Sequence, residues 1–225
     1  MYTPRFFATL VLPMALAWAG AAHANLVQLV TVNTGAISGV AGYAIAFSFQ
    51  DGSGLVNGDS NNTATLSNFN FGGGSAASSP VLLGGASGSL GAGVVLTDSD
   101  FSSLFAEGFT PGSSLSFILD LTTNLDVSGT PDFFGFSILL GGVPLPTLDD
   151  LGGDNLLYVN VDSANPATAV FATTSGSLAA PVLSAPPPPG PGPGQLPEPG
   201  SLPLLLAGLA GLFGVVRRRS LSAPS

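Results

Sequence analysis

Apolar and polar positions alternate along the central part of the chain. Residues 43–50, 115–122 and 134–140 each place large apolar side chains at every second position, with small or polar residues between them. A period of two is typical of β-strands that bury one face. Further strand candidates lie at residues 68–71, 93–96, 156–161 and 167–173. Because clusters of Gly, Asn, Asp and Ser separate these segments, the pattern predicts an antiparallel β-sandwich of jelly-roll type over residues 25–180.

One segment departs from the period of two. Phe101, Leu104 and Phe105 have the spacing of a single helical face. The four residues before Phe101, Thr-Asp-Ser-Asp, offer a capping arrangement, and Gly108 can close a helical C-terminus. The sequence therefore predicts one short helix over residues 97–108.

The start of the chain has the features of a secretory signal peptide. A positive charge precedes an apolar segment over residues 6–18, and the small residues Ala22 and Ala24 form a cleavage motif. The apolar segment is short for a membrane span. We therefore expect signal peptidase to remove residues 1–24, so that the mature protein begins at Asn25.

The other end of the chain has a linker followed by an apolar segment. Residues 181–196 are rich in proline and glycine, which favours an extended linker. Three elements then follow within residues 197–225: the motif Pro197, Glu198 and Pro199, an apolar run over residues 202–216, and the cluster Arg217, Arg218 and Arg219. The apolar run would be about 22 Å long as a helix, short against a hydrocarbon core of about 30 Å, and predicts a transmembrane helix. The arginines place the bulk of the chain outside the cytoplasm.

These three C-terminal elements together closely resemble the PEP-CTERM sorting signal. The resemblance implies processing near residues 197–199 by exosortase, a membrane transpeptidase-like cysteine protease of Gram-negative bacteria that make exopolysaccharide. It also implies an exported protein that is anchored transiently in the inner membrane and then placed on the cell surface or in the extracellular matrix. The same segment is known as the ice-binding protein C-terminal domain, but it acts as a sorting signal and does not imply ice binding.

Charge and residue types exclude several functions. The chain has 13 acidic and 4 basic residues and no cysteine, and residues 25–197 contain no Lys, Arg or His. Binding to nucleic acid is therefore excluded, because it needs basic side chains. The same stretch cannot assemble a Ser-His-Asp triad, a thiolate site or a Schiff-base lysine. We therefore expect no enzyme activity.

Calcium is the metal that fits this composition, because it takes oxygen ligands only. The main candidate loop carries three carboxylates and an amide, at Asp149, Asp150, Asp154 and Asn155. A second loop, residues 51–61, carries Asp51, Asn57 and Asp59. Asp98 and Asp100 can also chelate, but capping of the predicted helix explains them. Neither loop has the EF-hand or nonapeptide spacing, so turn chemistry is the alternative and no cofactor is required.

The sequence thus predicts a non-catalytic exported surface or matrix protein. One alternative is a calcium-dependent carbohydrate-binding module with exopolysaccharide as its ligand. Its expected exposed aromatic residues are few, since residues 25–197 have no Trp and most Phe residues fall on apolar strand faces. A second alternative is a glycoside hydrolase that uses an Asp/Glu pair, in which Glu107 is the only glutamate before the sorting signal.

Overall fold

The computed structural model describes residues 25–53, 58–125 and 130–188, which form an almost entirely β structure. This part of the chain contains fourteen strands and one 3-10 turn, Gly35–Ile37. The strands are β1 (Asn25–Asn33), β2 (Tyr43–Gln50), β3 (Thr63–Asn70), β4 (Ser75–Ala76), β5 (Val81–Leu83), β6 (Ala86–Ser89), β7 (Gly93–Thr97), β8 (Ser102–Thr110), β9 (Ser114–Thr122), β10 (Asp132–Leu140), β11 (Val143–Pro144), β12 (Leu157–Val161), β13 (Thr168–Val170) and β14 (Val182–Ser184). All pairings between them are antiparallel, so the prediction of a mainly β, antiparallel domain is confirmed.

The strands form two sheets. One sheet has the order β14-β1-β9-β3-β7-β6, and the other has the order β13-β12-β10-β2-β8-β4, with β11 beside β10 and β5 beside β8. The longer strands alternate between the sheets along the chain, since β1, β3 and β9 lie in the first sheet and β2, β8 and β10 in the second. Consecutive strands are therefore joined across the ends of the sheets, which brings residues that follow strands of both sheets close together.

The inward side chains of the two sheets share one hydrophobic core. The ring of Phe47 on β2 lies 5.3 Å from that of Phe117 on β9 and 5.4 Å from that of Phe136 on β10, measured between centroids. The rings of Phe117 and Phe136 lie 5.1 Å apart in an edge-to-face arrangement, and all three side chains are fully buried. Because β9 belongs to one sheet and β2 and β10 to the other, these rings hold the sheets face to face.

The predicted helix over residues 97–108 is wrong. Most of its C-terminal half belongs to strand β8, which pairs with β2 from Gln50↔Ser102 to Tyr43↔Phe109. Burial alternates along β8 and leaves Phe105 fully buried, whereas Phe101 lies before the strand begins and is 58% exposed. Pairing with β2 on one side and with β4 and β5 on the other satisfies the backbone of β8, and this tertiary pairing overrides the short helical spacing.

Strand structure also continues past residue 180, the predicted end of the domain. Strand β14 lies inside the predicted linker, residues 181–196, and pairs with β1 from Leu29↔Ser184 to Thr31↔Val182. This pairing covers the edge of β1 that β9 leaves free. The proline-rich segment can supply this edge strand because β14 itself, Val182–Ser184, contains no proline and keeps its backbone N–H groups.

Several predictions fall outside the described residues. These are the signal peptide of residues 1–24 with its cleavage motif, the transmembrane helix of residues 202–216, and the sorting residues 197–199 and 217–219. Within the part that the structure describes, no helix is long and apolar enough to cross a membrane.

Candidate functional site

The loop from Asp149 to Asn155 is organised by the Asp149 carboxylate. Its Oδ1 accepts a hydrogen bond from the Leu151 N–H at 2.9 Å. Its Oδ2 accepts bonds from the backbone N–H groups of Gly153 and Asn155, both at 3.2 Å, and from Asn155 Nδ2 at 2.8 Å. Burial opposes ionisation of Asp149, but these four donors outweigh it and lower the pKa of the carboxyl below its usual value. Asp149 thus stabilises the loop as an anion.

The other acidic residues of this loop have separate partners. Asp154 Oδ1 accepts a hydrogen bond from the Thr147 N–H at 3.1 Å, and Asp150 Oδ1 accepts one from the Tyr158 hydroxyl at 2.9 Å. Hydrogen bonds within the loop and from the neighbouring residues Thr147 and Tyr158 therefore account for the four candidate ligands of the loop without a metal. Calcium at these four residues stays a prediction.

Three other aspartates converge at one end of the domain. Asp51 directly follows β2, Asp98 directly follows β7, and Asp59 lies in the loop that leads into β3. One carboxylate oxygen from each lies within 4.8 Å of those of the other two. Among the described residues, this is the group of at least three acidic side chains with the spacing of a shared ligand set. We call Asp51, Asp59 and Asp98 the acidic cluster.

Strand pairing sets the positions of Asp51 and Asp98. The β3–β7 ladder, which ends at Thr63↔Thr97, continues as a bond from the Asp98 N–H to the Asn62 carbonyl at 3.4 Å. The β2–β8 ladder continues in the same way, as a bond from the Asp51 N–H to the Phe101 carbonyl at 3.1 Å. Because residues 98–101 connect β7 of one sheet to β8 of the other, the two aspartates meet where the sheets are joined.

Close approach of a glycine brings the third aspartate to the cluster. Gly58, which precedes Asp59, has φ +62°, and a Cβ at this position would lie only 1.7 Å from the Asp98 carbonyl oxygen. Any other residue would therefore clash with the backbone of Asp98 and push the loop away. Gly58 allows Asp59 to lie beside Asp98 despite the like charges.

Burial and like charges perturb the acidic cluster. Burial of Asp98 is the main cause that raises the pKa of its carboxyl to about 7, opposed by the hydrogen bond from the Asn62 N–H and assisted by the charges of Asp132 and Asp59. Asp132 is buried and accepts hydrogen bonds from the Gly52 N–H and from Asn62 Nδ2, both at 2.7 Å. No Lys, Arg or His lies within residues 25–197 to balance these four acidic residues.

A cleft lies beside the acidic cluster on the outer face of the second sheet. Its volume is about 530 Å³, and its lining includes Gln50, Asp51, Phe101, Phe133, Asn155 and Asn160. The Phe133 ring lies 5.5 Å from that of Tyr158, which lies 5.4 Å from that of Phe171, measured between centroids. All three side chains are partly exposed, so they form an outer aromatic row next to the cleft. The surface around the cleft therefore presents both flat aromatic faces and amide side chains.

The sequence identifies part of the acidic cluster and part of the aromatic row, but it assigns Asp98 to a different role. Asp51 and Asp59 were expected in one candidate loop, but Asp98 was expected to cap a helix that does not form. The outward position of Phe133 was readable from alternation with the buried Phe134, because neighbours in a strand face opposite sides. The spacing of Asp51, Asp59 and Asp98 along the chain does not predict that they converge, because they adjoin strands of two different sheets.

Comparison with known proteins identifies the C-terminal segment. A family model described as the PEP-CTERM protein-sorting motif matches residues 195–220. No curated protein and no solved structure matches the chain. The motif implies export, transient membrane anchoring during sorting, and processing by exosortase. The chain is therefore an exported protein that carries a PEP-CTERM sorting signal.

Proposed function

We propose that the domain of residues 25–184 acts without catalysis on the cell surface or in the extracellular matrix of a Gram-negative bacterium. The observation that carries this proposal is the PEP-CTERM motif over residues 195–220. In this proposal, signal peptidase first removes residues 1–24. The C-terminal segment then holds the chain in the inner membrane until exosortase cuts near Pro197–Pro199 and releases the domain to its final location.

Absence of catalysis is supported by the burial of Asp98 and Glu107. A general acid must come within hydrogen-bonding distance of the substrate. Asp98, whose pKa of about 7 suits a general acid, is 0% exposed, so a sugar oxygen cannot reach it. Glu107 is 5% exposed, and its Oε2 accepts a hydrogen bond from the Leu90 N–H at 2.8 Å. Both residues are better suited to structural roles than to glycoside hydrolysis.

Mass spectrometry of the intact protein from its native host tests the sorting proposal. We expect the wild type to begin at Asn25 and to end near residues 197–199. The Glu198→Ala variant should retain the C-terminal arginines, because the motif that is read by exosortase is altered. Asp162→Ala removes an exposed carboxylate outside the motif and should be processed like the wild type. A wild-type product that keeps Arg217 to Arg219 would contradict the proposal.

Binding of carbohydrate is a second candidate function, which the cleft favours. The order β1-β9-β3-β7 in one sheet and β2-β8-β4 in the other supports a jelly-roll sandwich, a fold found in lectins. Phe101 and Phe133 provide aromatic faces for sugar rings, and Gln50 and Asn160 provide hydrogen-bonding groups in the same cleft. The expected ligand is an acidic or neutral exopolysaccharide, because this class of polymer surrounds the cell at the proposed location.

Retention on an immobilised exopolysaccharide from the native host tests this second candidate. Phe101→Ala and Phe133→Ala should each reduce retention, because each removes an aromatic face from the cleft. Leu140→Ala is the matched control, since Leu140 is an exposed apolar residue on the same strand as Phe133 and does not line the cleft. Equal retention of all three variants would exclude the cleft as the binding site. Runs with calcium and with chelator show whether retention needs the metal.

A further inference from the structure

We infer that Asp51, Asp59 and Asp98 bind one calcium ion at the end of the sandwich where the two sheets are joined. Their ligand oxygens all lie within 4.8 Å of one another. Calcium binds oxygen at about 2.4 Å, so two oxygens on opposite sides of one ion are about 4.8 Å apart. A single calcium ion can therefore contact all three carboxylates with little movement of the chain.

Two buried oxygens provide independent support for a bound cation. Asp51 Oδ2 accepts a hydrogen bond from the Ser53 hydroxyl at 2.6 Å, and Asp98 Oδ2 accepts one from the Asn62 N–H at 2.8 Å. Oδ1 of each residue is buried and accepts no hydrogen bond from the described part of the chain. Asp51 is 4% exposed and Asp98 is 0% exposed. A buried carboxylate oxygen without a partner is strongly unfavourable, and a cation supplies the missing interaction.

The surrounding charges favour a bound cation over any side-chain partner. The buried carboxylate of Asp132 acts on Asp98 as a like charge. The two carboxylate oxygens of Asp132 accept hydrogen bonds from the Gly52 N–H and from Asn62 Nδ2. Asp132 therefore adds negative charge near the cluster without serving as one of the three ligands. Residues 25–197 contain no Lys, Arg or His, and no side chain there can neutralise the acidic cluster. A divalent cation compensates these charges directly.

The ligand chemistry selects calcium among divalent cations. Zinc prefers histidine and cysteine ligands, and residues 25–197 contain neither. Magnesium requires near-ideal octahedral geometry with shorter bonds, whereas calcium accepts an irregular oxygen set completed by backbone carbonyls or water. Asp59 is exposed and leaves one side of the cluster open to water. The ion would link the ends of β2 and β7 to the loop before β3. This inference does not depend on the proposed function, because such an ion stabilises the fold whether or not the domain binds polysaccharide.

Calorimetric titration of the metal-free full chain in detergent with CaCl2 tests the inference. We expect one calcium ion per chain. At roughly 100-fold excess over the dissociation constant, the thermal midpoint should rise by about 5–10 °C, because only the folded state binds the ion. Asp51→Asn and Asp98→Asn should each weaken calcium binding at least about tenfold, since each removes a charged ligand. MgCl2 should bind more weakly than CaCl2.

Two controls separate this site from general charge effects. Asp100→Asn changes the same charge on an exposed residue two positions from Asp98, and Asp149→Asn changes the other candidate loop. Both variants should keep the wild-type affinity for calcium. In chelator, Asp98→Asn should unfold at a temperature no lower than the wild type, which shows that the variant folds. Absence of a calcium-dependent shift in the wild type, or full calcium affinity in both Asp51→Asn and Asp98→Asn, would overturn the inference.

Discussion

Asp149 and Asp98 are the same residue type in opposite environments. Four N–H donors surround the Asp149 carboxylate and lower its pKa, although its burial opposes ionisation. Burial dominates at Asp98 and, with the like charges of Asp132 and Asp59, raises its pKa to about 7, because the N–H groups of Asn62 and of Asp98 itself do not offset it. At the residue scale, the number of donors decides whether a buried carboxylate stabilises this domain as an anion.

Asp149 should therefore contribute to stability at neutral pH and lose that contribution in acid. Its pKa in the folded state is below the ordinary value of 3.8, so the contribution is present above about pH 4 and disappears as the pH falls through the folded-state value. Asp149→Asn should lower the free energy of unfolding at pH 7 by about 1–3 kcal/mol. Urea denaturation at pH 7 and at pH 2.5 measures both effects.

The difference between wild type and Asp149→Asn should shrink between pH 7 and pH 2.5, because the wild-type carboxyl begins to bind a proton as the pH falls toward its lowered pKa. Asp150→Asn is the matched control, because Asp150 is exposed and accepts one hydrogen bond, from Tyr158. That variant should change stability by less than about 1 kcal/mol at either pH. A difference for Asp149→Asn that grows on acidification would contradict the assigned direction of the pKa.

At the element scale, strand β8 shows how pairing overrides local pattern. The segment from Phe101 to Phe105 has helical spacing, but a helix there would leave β2 paired with β10 alone and would remove the β8 side chains from the core. As a strand, β8 instead buries Phe105 and Phe109 in the shared core. The gain from burying these side chains exceeds the small preference that a short helix has by itself.

Truncation of two phenylalanines tests the burial that the structure assigns to Phe105 within β8 and to Phe101 before it. Phe105→Ala should lower the free energy of unfolding by about 3–5 kcal/mol, because it leaves a cavity in the core. Phe101→Ala should lower it by less than about 1 kcal/mol, since Phe101 is 58% exposed. Chemical denaturation of both variants measures the two effects. Similar large losses in both variants would contradict the exposed position of Phe101.

At the scale of the whole molecule, charges of one sign dominate. All acidic residues except Glu198 lie between residues 25 and 197, where no basic residue occurs. The pairwise charge interactions within this stretch are therefore repulsive. The net charge should keep the domain soluble among acidic polysaccharides, but it lowers the stability of the compact state. Two kinds of ion should reduce this repulsion. A divalent cation would do so by binding at the inferred site, and monovalent salt does so by screening the charges.

Added salt should stabilise the protein even without calcium. In chelator, we expect the thermal midpoint to rise as NaCl increases from 10 mM to 300 mM, because shorter Debye lengths screen repulsion between exposed carboxylates. The double variant Asp100→Asn/Asp162→Asn removes two exposed charges and should show a higher midpoint at low salt and a smaller rise. A midpoint that falls with NaCl would indicate that attractive charge pairs dominate instead.

The sequence by itself determined the sorting signal and half of the fourteen described strands. Sorting elements are short linear motifs, so their order along the chain is sufficient to identify them. The family match over residues 195–220 agrees with that interpretation. Strands β2, β9 and β10 were predictable because each buries one face, and burial of one face imposes a period of two.

Only the tertiary structure decided β8, the edge strand β14 and the acidic cluster. Both strands depend on partners distant in sequence, β2 for β8 and β1 for β14, which local propensity does not encode. The cluster depends on chain crossings between the two sheets, which place Asp51, Asp59 and Asp98 within 4.8 Å although up to 47 positions separate them. Packing of the folded chain also buries Asp51 Oδ1 and Asp98 Oδ1 without hydrogen-bond partners. The sequence therefore shows that the aspartates are present, but not that they converge.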